Sequence, residues 1–175
     1  TVRVRMLGVF EFVVGDRVIP DRVWARRKAR QLFKILVGRP GRRVIRDQVL
    51  EWLWPDSPPE AAATNLRTTV HALRRVLREA GLGLAGEAVV VEPDAVALSA
   101  ALPLTTDADE MERLLERASR AADPFDLLQE ADALYGGEYL PDDLYEEWAT
   151  HRRESLRRQW VGLQLMLAEQ RERRG

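Results

Sequence analysis

Polar side chains recur at helical spacing between residues 60 and 80. Thr64, Arg67, Thr68 and His71 would share one face of a helix there. The opposite face would be apolar and would consist of Leu66, Val70, Leu73 and Leu77. Arginine can donate two hydrogen bonds to guanine, and a threonine methyl group can contact the methyl group of thymine. The polar face therefore has the chemistry of base readout in DNA, and a solvated amphipathic helix is the alternative interpretation.

Further arginines are placed where they could hold DNA phosphates. Three arginines directly precede a second predicted helix, whose free amides and dipole attract anions. They are Arg42, Arg43 and Arg46. Other arginines stand at the start of an earlier predicted helix and at the end of the helix over residues 60–80. Arg26, Arg27 and Arg30, in the earlier helix, are secondary candidates for the DNA backbone, and Arg74, Arg75 and Arg78 are expected to hold the backbone from the later helix.

Charge is divided unequally along the chain. Residues 1–80 hold 17 Lys and Arg against 8 Asp and Glu, whereas residues 81–175 hold 10 against 20. This division predicts a polyanionic partner for the first half and a neutral or basic partner for the second. Arginine outnumbers lysine 25 to 2, which fits phosphate recognition and equally fits a GC-rich genome. An alternative function is a helical protein-interaction scaffold with an auxiliary basic domain and no specific DNA site.

The composition argues against several classes of function. The chain has no cysteine and no apolar run near the roughly 18 residues of a membrane span, so we expect a cytoplasmic protein. His71 and His151 fall in separate predicted domains, which leaves no metal cluster or catalytic triad to propose. Gly81, Gly83 and Gly86 follow a helix rather than a strand, so they indicate a helix cap and loop. We expect neither enzymatic activity nor a cofactor.

The first half alternates between predicted strands and helices. Two short antiparallel strands are predicted within Val2–Val14, with turns at Gly8 and Gly15, and a third at Val18 and Ile19. Two helices follow, the first with its apolar stripe at Ala29, Leu32, Phe33, Leu36 and Val37. The second is predicted to have Asp47 as its N-cap and to turn Val49, Leu50, Leu53 and Trp54 inward. After the helix over residues 60–80, the apolar runs around Glu92-Pro93-Asp94 predict a hairpin, in the position of a wing.

The second half is predicted to be helical. Helices are expected over Asp109–Ala122, from Pro124 to Gly136, and from Leu144 to Arg173 as one long helix or two joined. The long helix is expected to turn six residues inward: Tyr145, Trp148, Leu156, Trp160, Leu163 and Leu167. The chain starts at Thr1 without an initiator methionine, and we expect it to be part of a longer protein with an incomplete helical domain.

Three stretches resemble a known family of bacterial activators. They are LGVFEFVVGDRVIP, the run from WARRKARQLFKILV through LWPDSPPEAAATNLRTTVHALRRVL, and YGGEYLPDDLYEEWATHRRESLRRQW. Together they resemble the Streptomyces antibiotic regulatory protein (SARP) family, in which an OmpR/PhoB-type winged helix precedes a tetratricopeptide-like bacterial transcriptional activator domain. The fold class implied is an α+β winged helix-turn-helix with an N-terminal antiparallel sheet, followed by an all-α domain. The implied domains are residues 1–101 and 102–175.

The resemblance implies a function and partners. It places the helix over residues 60–80 in the major groove of double-stranded promoter DNA, with protomers paired on direct repeats as a homodimer. It implies a loop that touches RNA polymerase, through its sigma factor or alpha subunit, at Pro55, Asp56, Ser57 and Pro58. The sequence departs from the family at the wing, where Glu92 and Asp94 replace the usual basic or aromatic residues. Arginines elsewhere would have to compensate for them.

Overall fold

A computed structural model describes residues 1–83 and 87–174 of the chain. The chain folds into two compact units, and the first comprises Thr1–Val2 and Val13–Pro103. The second comprises Arg3–Phe12 and Leu104–Gly175. Arg3–Phe12, which the division at residues 101 and 102 assigns to the first domain, therefore groups with the helical residues.

Short strands near the N-terminus form a sheet, as the alternating sequence predicts, and a later strand joins it. They are β1 (Val2–Arg5), β2 (Glu11–Val14), β3 (Arg17–Ile19) and β7 (Leu104–Thr106). The strand order is β3-β2-β1-β7. The alternation of buried and exposed residues in β1 matches the pleat of a strand with one buried face. β7 was not predicted, because it forms by pairing with β1, a strand at the start of the chain.

Helices form the centre of the first unit. They are α1 (Arg27–Val37), α2 (Arg46–Leu53) and α3 (Pro59–Glu79). The predicted apolar stripe of α1 is buried, including Leu32 and Phe33. Gly81 adopts a φ of 92° after α3, and the Leu82 N–H donates to the carbonyl of Leu77 at 2.9 Å, which closes the helix as predicted. Gly86 lies outside the described residues.

The prediction that Asp47 caps α2 is wrong. The helix begins at Arg46, and Ile45 occupies the N-cap position with no side-chain hydrogen bond. The reason is a strand, β4 (Arg43–Ile45), that runs directly into the helix. Asp47 lies in the first turn instead, where its carboxylate favours the helix dipole. Val49 and Leu53 are buried as predicted, whereas Leu50 and Trp54 are half-buried.

The predicted hairpin is part of a three-stranded antiparallel sheet. Its strands are β5 (Val89–Val91) and β6 (Ala95–Leu98), and the sheet order is β4-β6-β5. Arg43 pairs with Ala97, and Ile45 pairs with Ala95. The turn between β5 and β6 is closed by the Glu92 N–H, which donates to the Ala95 carbonyl at 2.8 Å. β6 therefore lies in the centre, with β4 and β5 at its two sides.

Helices make up most of the second unit. They are α4 (Asp107–Ala118), α5 (Phe125–Leu134) and α6 (Glu147–Arg174). The side chain of Thr106 caps α4 by accepting from the Asp109 N–H at 3.0 Å. The long helix is continuous, and Leu156, Leu163 and Leu167 are buried along it as predicted. No described helix is both long and apolar enough to cross a membrane.

The expectation that Tyr145 faces inward is wrong. Its relative exposure is 102 %, whereas Trp148 is buried. α6 begins only at Glu147, so Tyr145 precedes the helix and does not follow its period. The chain before it makes a 3₁₀ turn over Pro141–Asp143, preceded by Leu140 at a φ of 47°. The prediction started the helix at Leu144, three residues too early, and so assigned Tyr145 to a helix face.

Gly8 lies against another stretch of backbone in the second unit. Its N–H donates to the Glu138 carbonyl at 2.9 Å, and Leu7 forms a β-bridge with Tyr139. A Cβ atom added at Gly8 would stand 2.4 Å from the Gly136 oxygen, and Gly8 has a φ of 83°. Both the positive φ and the close approach therefore require glycine.

A candidate nucleic-acid interface on the first unit

The two faces of α3 differ as its sequence predicts. Leu66, Val70, Leu73 and Leu77 are at most 2 % exposed and pack into the unit. The other face is exposed and carries Thr64, Arg67, Thr68, His71, Arg75 and Arg78. The apolar stripe holds α3 in place, so the polar side chains stand on a helix whose orientation is fixed by packing.

Hydrogen bonds within α3 organise its exposed face. Arg67 donates from Nη2 to the Thr64 hydroxyl at 3.0 Å, and the Thr68 hydroxyl donates to the Thr64 carbonyl at 3.1 Å. Thr68 therefore presents acceptor lone pairs and a methyl group, while Thr64 keeps a hydroxyl hydrogen to donate. Arg67 keeps further donors on its guanidinium group. Donor, acceptor and methyl chemistry thus lie within one turn of the helix.

The start of α1 adds cations beside this face. Arg26, Arg27 and Lys28 line a groove of about 310 Å³ together with the α3 residues Asn65, Thr68 and Thr69 and with Trp54. A neighbouring groove is lined by Arg26, Thr68, His71 and Arg75, among others. Arg26 and Thr68 belong to both grooves, so the two are contiguous. The positive end of the α1 dipole lies at the same place and also favours an anion.

Two of the predicted phosphate-binding arginines around these grooves are paired with carboxylates of the protein. Arg30 donates to Asp21 at 3.0 Å, and Arg75 donates to Glu79 at 2.8 Å. Exposed ion pairs of this kind are weak, so a phosphate could compete for either arginine. Arg26 stands at the N-cap position of α1 and is exposed.

The predicted clamp of Arg42, Arg43 and Arg46 is engaged within the protein. The guanidinium of Arg42 donates to the Val37 carbonyl, and Arg42 has a φ of 54°. Arg43 donates from Nε and Nη2 to Glu92 at 3.0 and 2.8 Å, and this hydrogen bond raises the pKa of Arg43. Arg46 lies 4.0 Å from the Asp47 carboxylate.

The N-terminus of α2 is also partly occupied, because the Arg46 N–H donates to the Asp94 carbonyl at 2.8 Å. An anion at this helix end would meet fewer free amides than the sequence suggests. The structure therefore brings the three arginines together at one end of α2, but it gives them carbonyl and carboxylate partners.

The remaining predicted backbone residue on α3, Arg74, faces the hairpin. Its Nε and Nη2 atoms donate to the Val89 carbonyl at 3.0 and 2.7 Å, and its guanidinium pairs with Glu87. Arg74 is half-buried, whereas Arg78 is exposed one turn later. The contacts of Arg74 join α3 to β5.

The loop between α2 and α3 is short and held by backbone hydrogen bonds. The Ser57 N–H donates to the Trp54 carbonyl at 3.1 Å, and the Ala62 N–H donates to the Pro58 carbonyl at 2.9 Å. Pro55, Asp56 and Pro58 are exposed, and Ser57 is half-buried. The loop thus presents a defined surface to solvent.

The predicted site omitted four residues that line the groove at the start of α1. They are Lys28, Trp54, Asn65 and Thr69. Asn65 follows Thr64 directly, and its position on the α1 side of α3 follows from the helical period once the packing of α1 on α3 is known. Trp54 was expected inside, but it is half-buried at the end of α2.

Comparison with known proteins agrees with this geometry. Residues 21–84 match the family described as "Transcriptional regulatory protein, C terminal", which is the OmpR/PhoB-type winged helix. No curated protein matches the chain. Among solved structures, the chain is similar to Mycobacterium tuberculosis EmbR in complex with low affinity phosphopeptide. The TM-score is 0.74 at 21 % sequence identity, and the match covers 97 % of this chain.

The match spans 45 % of the length of that EmbR chain. At this identity the likeness shows the fold, which is a winged-helix part followed by a helical region. The family match concerns residues 21–84, so it is this part of the chain that is similar to the C-terminal domain of transcriptional regulatory proteins.

Proposed function

We propose that this chain is a sequence-specific activator of transcription that binds promoter direct repeats through α3 and contacts RNA polymerase. The observation that supports this function most directly is the shared lining of two grooves by the start of α1 and the exposed face of α3. This arrangement sets cations for phosphates beside hydrogen-bonding groups for bases. Both kinds of contact are needed by a protein that reads sequence in duplex DNA.

In the proposed complex, α3 lies in the major groove. Base contacts come from Thr64, Arg67, Thr68 and His71, which occupy the exposed face of α3. Phosphate contacts come chiefly from Arg26 and Arg27 on one side, and from Arg75 and Arg78 further along α3. Arg30 joins them when a phosphate displaces Asp21. These contacts supply most of the affinity, whereas the base contacts supply the specificity.

The proposed orientation of α3 on DNA is compatible with two further partners, RNA polymerase and a second protomer. The loop Pro55–Pro58 is proposed as the polymerase contact, because it joins α2 to the recognition helix and three of its residues are exposed. Two protomers are proposed to bind side by side on direct repeats, about one helical turn of DNA apart. The proposed location is the bacterial cytoplasm, at the nucleoid.

Selection of bound fragments from genomic DNA, followed by fluorescence anisotropy at several salt concentrations, tests this function. Enriched fragments are expected to contain direct repeats with a fixed period. If six to ten phosphates are contacted, affinity is expected to fall by about 10³ to 10⁵ between 50 and 200 mM salt. Absence of binding to any duplex at low ionic strength would refute the proposal. Equal affinity for selected and random duplex would refute its sequence specificity.

A further inference from the structure

We propose that Glu92 and Asp94, at the tip of the hairpin, determine how strongly this side of the interface binds DNA, because they hold Arg43 in competition with a phosphate. This inference rests on the proposed function and concerns the same interface. It assigns the two carboxylates a role in setting affinity, and it proposes that Arg43, a phosphate contact predicted from sequence, contributes little to binding.

The contact crosses the three-stranded sheet. Arg43 belongs to β4 and Glu92 follows β5, so the side chains meet over the central strand β6. Ala97 pairs with both Arg43 and Val90, and cross-strand partners place their side chains on the same face. The small side chain of Ala97 leaves room for the guanidinium group to pass. The sheet therefore favours this ion pair through its register and through the size of the central residue.

Glu92 and Asp94 accept hydrogen bonds from N–H groups of Arg43 that could otherwise bind a phosphate. Nε and Nη2 lie 3.0 and 2.8 Å from Oε2 of Glu92, and Nη2 also lies 3.3 Å from Oδ1 of Asp94. Arginine binds phosphate bidentately through neighbouring N–H groups such as these. A phosphate approaching this edge must first displace Glu92.

The carboxylates also neutralise the charge of this corner. Arg42, Arg43 and Arg46 bring three positive charges, and Asp47, Glu92 and Asp94 bring three negative charges. The corner thus carries no net positive charge that would attract a phosphate. The ion pair is also open to solvent, since the side chains of Arg43 and Glu92 are 44 % and 41 % exposed. A phosphate can displace the carboxylate from an exposed ion pair. Glu92 and Asp94 therefore weaken the contact between Arg43 and a phosphate without abolishing it.

The test is a cycle of four proteins on one duplex that carries the selected site. They are the wild type, the double variant Glu92→Gln/Asp94→Asn, the variant Arg43→Ala, and the triple variant. Both amides keep an oxygen that can accept from Arg43, so the register of the hairpin is retained while the negative charges are removed. Affinity is measured at several salt concentrations, and thermal unfolding confirms that each protein is folded.

A neutral amide holds Arg43 less strongly than a carboxylate does. The double variant is therefore expected to gain about one phosphate contact and a salt dependence steeper by about 0.9 in log–log slope. Affinity at low salt is expected to rise roughly three- to tenfold, as one added ionic contact would give. Arg43→Ala is expected to change wild-type binding by less than about twofold, and to remove the gain in the triple variant. The variant Asp16→Asn/Glu51→Gln removes two exposed carboxylates elsewhere in the unit and serves as the charge-matched control.

Three results would overturn the inference. One is a weaker, less salt-dependent complex for Arg43→Ala alone, since Arg43 would then hold a phosphate in spite of Glu92. The second is an unchanged affinity and slope in the double variant, and the third is an equal gain in the charge-matched control. If the wild type fails to bind duplex at every salt concentration, the proposed function falls and this inference falls with it.

Discussion

Arg74 donates two hydrogen bonds to the carbonyl of Val89, at 3.0 and 2.7 Å, and so joins α3 to the first strand of the hairpin. We expect an arginine used in this way to position the hairpin and not to contact a DNA phosphate. Arg74→Ala is expected to lower the free energy of unfolding by about 1–3 kcal/mol, because a carbonyl acceptor loses a charged donor. The salt dependence of DNA binding is expected to stay unchanged.

Arg78→Ala is the matched control for Arg74, since Arg78 is exposed on the same helix. It is expected to change stability by less than about 0.5 kcal/mol and to flatten the salt dependence. Chemical denaturation and anisotropy titrations measure the two properties separately. A flatter salt dependence for Arg74→Ala would show that Arg74 contacts a phosphate after all.

Arg26 and Arg30 both lie at the start of α1, but only Arg30 is hydrogen-bonded to Asp21. Arg26→Ala is expected to reduce the log–log salt slope by about 0.9, because one phosphate contact is lost. Arg30→Ala is expected to have a smaller effect, since Asp21 already neutralises much of its charge. Anisotropy titrations of both variants on the same duplex test this order, and a larger effect for Arg30→Ala would reverse the assignment.

If α3 reads bases, replacing Arg67 is expected to lower the discrimination between DNA sequences and not only the affinity for DNA. Arg67→Ala is expected to weaken binding to the selected site by about 1–3 kcal/mol relative to the same site with one base pair changed. The affinity for random duplex is expected to change by no more than the loss of about one phosphate contact would cause. Competition titrations with single-base variants of the site measure the difference. Equal weakening on every sequence would instead place Arg67 on the backbone.

Gly8 and Gly15 both have positive φ, but they differ in surroundings. A Cβ at Gly8 would stand 2.4 Å from the Gly136 oxygen, whereas nothing lies within 4 Å at Gly15. Gly8→Ala is expected to destabilise the protein by about 2–5 kcal/mol, through backbone strain and the steric clash together. Gly15→Ala is expected to cost about 1–2 kcal/mol from strain alone. Denaturant unfolding of the pair tests the close approach, which equal losses would contradict.

The raised pKa of Asp107 is expected to make the stability of the protein depend on pH. Its carboxylate accepts from the N–H groups of Met6 and Leu7, but burial has the larger effect and raises the pKa of Asp107. The folded state therefore binds this proton more tightly than the unfolded state. The resulting stabilisation is fully present below the ordinary carboxyl pKa of about 4 and is lost as the pH rises through the raised pKa.

The variant Asp107→Asn isolates this contribution, because its side chain cannot titrate. The stability of the wild type relative to the variant is expected to fall as the pH rises above about 4. Urea unfolding of both proteins at a series of pH values measures the difference. A rise over the same range would mean that the N–H groups outweigh burial and lower the pKa.

The sequence predicted those features that depend on residues close in the chain. The faces of α3 follow from the spacing of Leu66, Val70, Leu73 and Leu77, and their burial confirms that face. The wing hairpin was also predicted, because a turn sequence separates two apolar runs. In both cases the local pattern and the packing require the same arrangement.

Features that depend on distant residues were not predictable in this way. Arg43 and Glu92 are 49 positions apart, and only the register of β4 on β6 brings them together. Residues 43–45 run directly into α2, and they form β4 by pairing with β6, which is distant in the sequence. The pairing of Arg74 with Val89 likewise depends on how the hairpin meets α3. For these arginines the sequence shows the charge, and the tertiary structure determines what the charge contacts.

The bond between the Thr68 hydroxyl and the Thr64 carbonyl limits what α3 can tell apart. With its hydrogen already donated, Thr68 offers a base only a methyl group and an acceptor. In the proposed orientation it would therefore recognise the 5-methyl group of a pyrimidine, which thymine carries and cytosine lacks. Cytosine that has been methylated at C5 presents the same group, so its methyl group would make the same apolar contact with Thr68 as the methyl group of thymine.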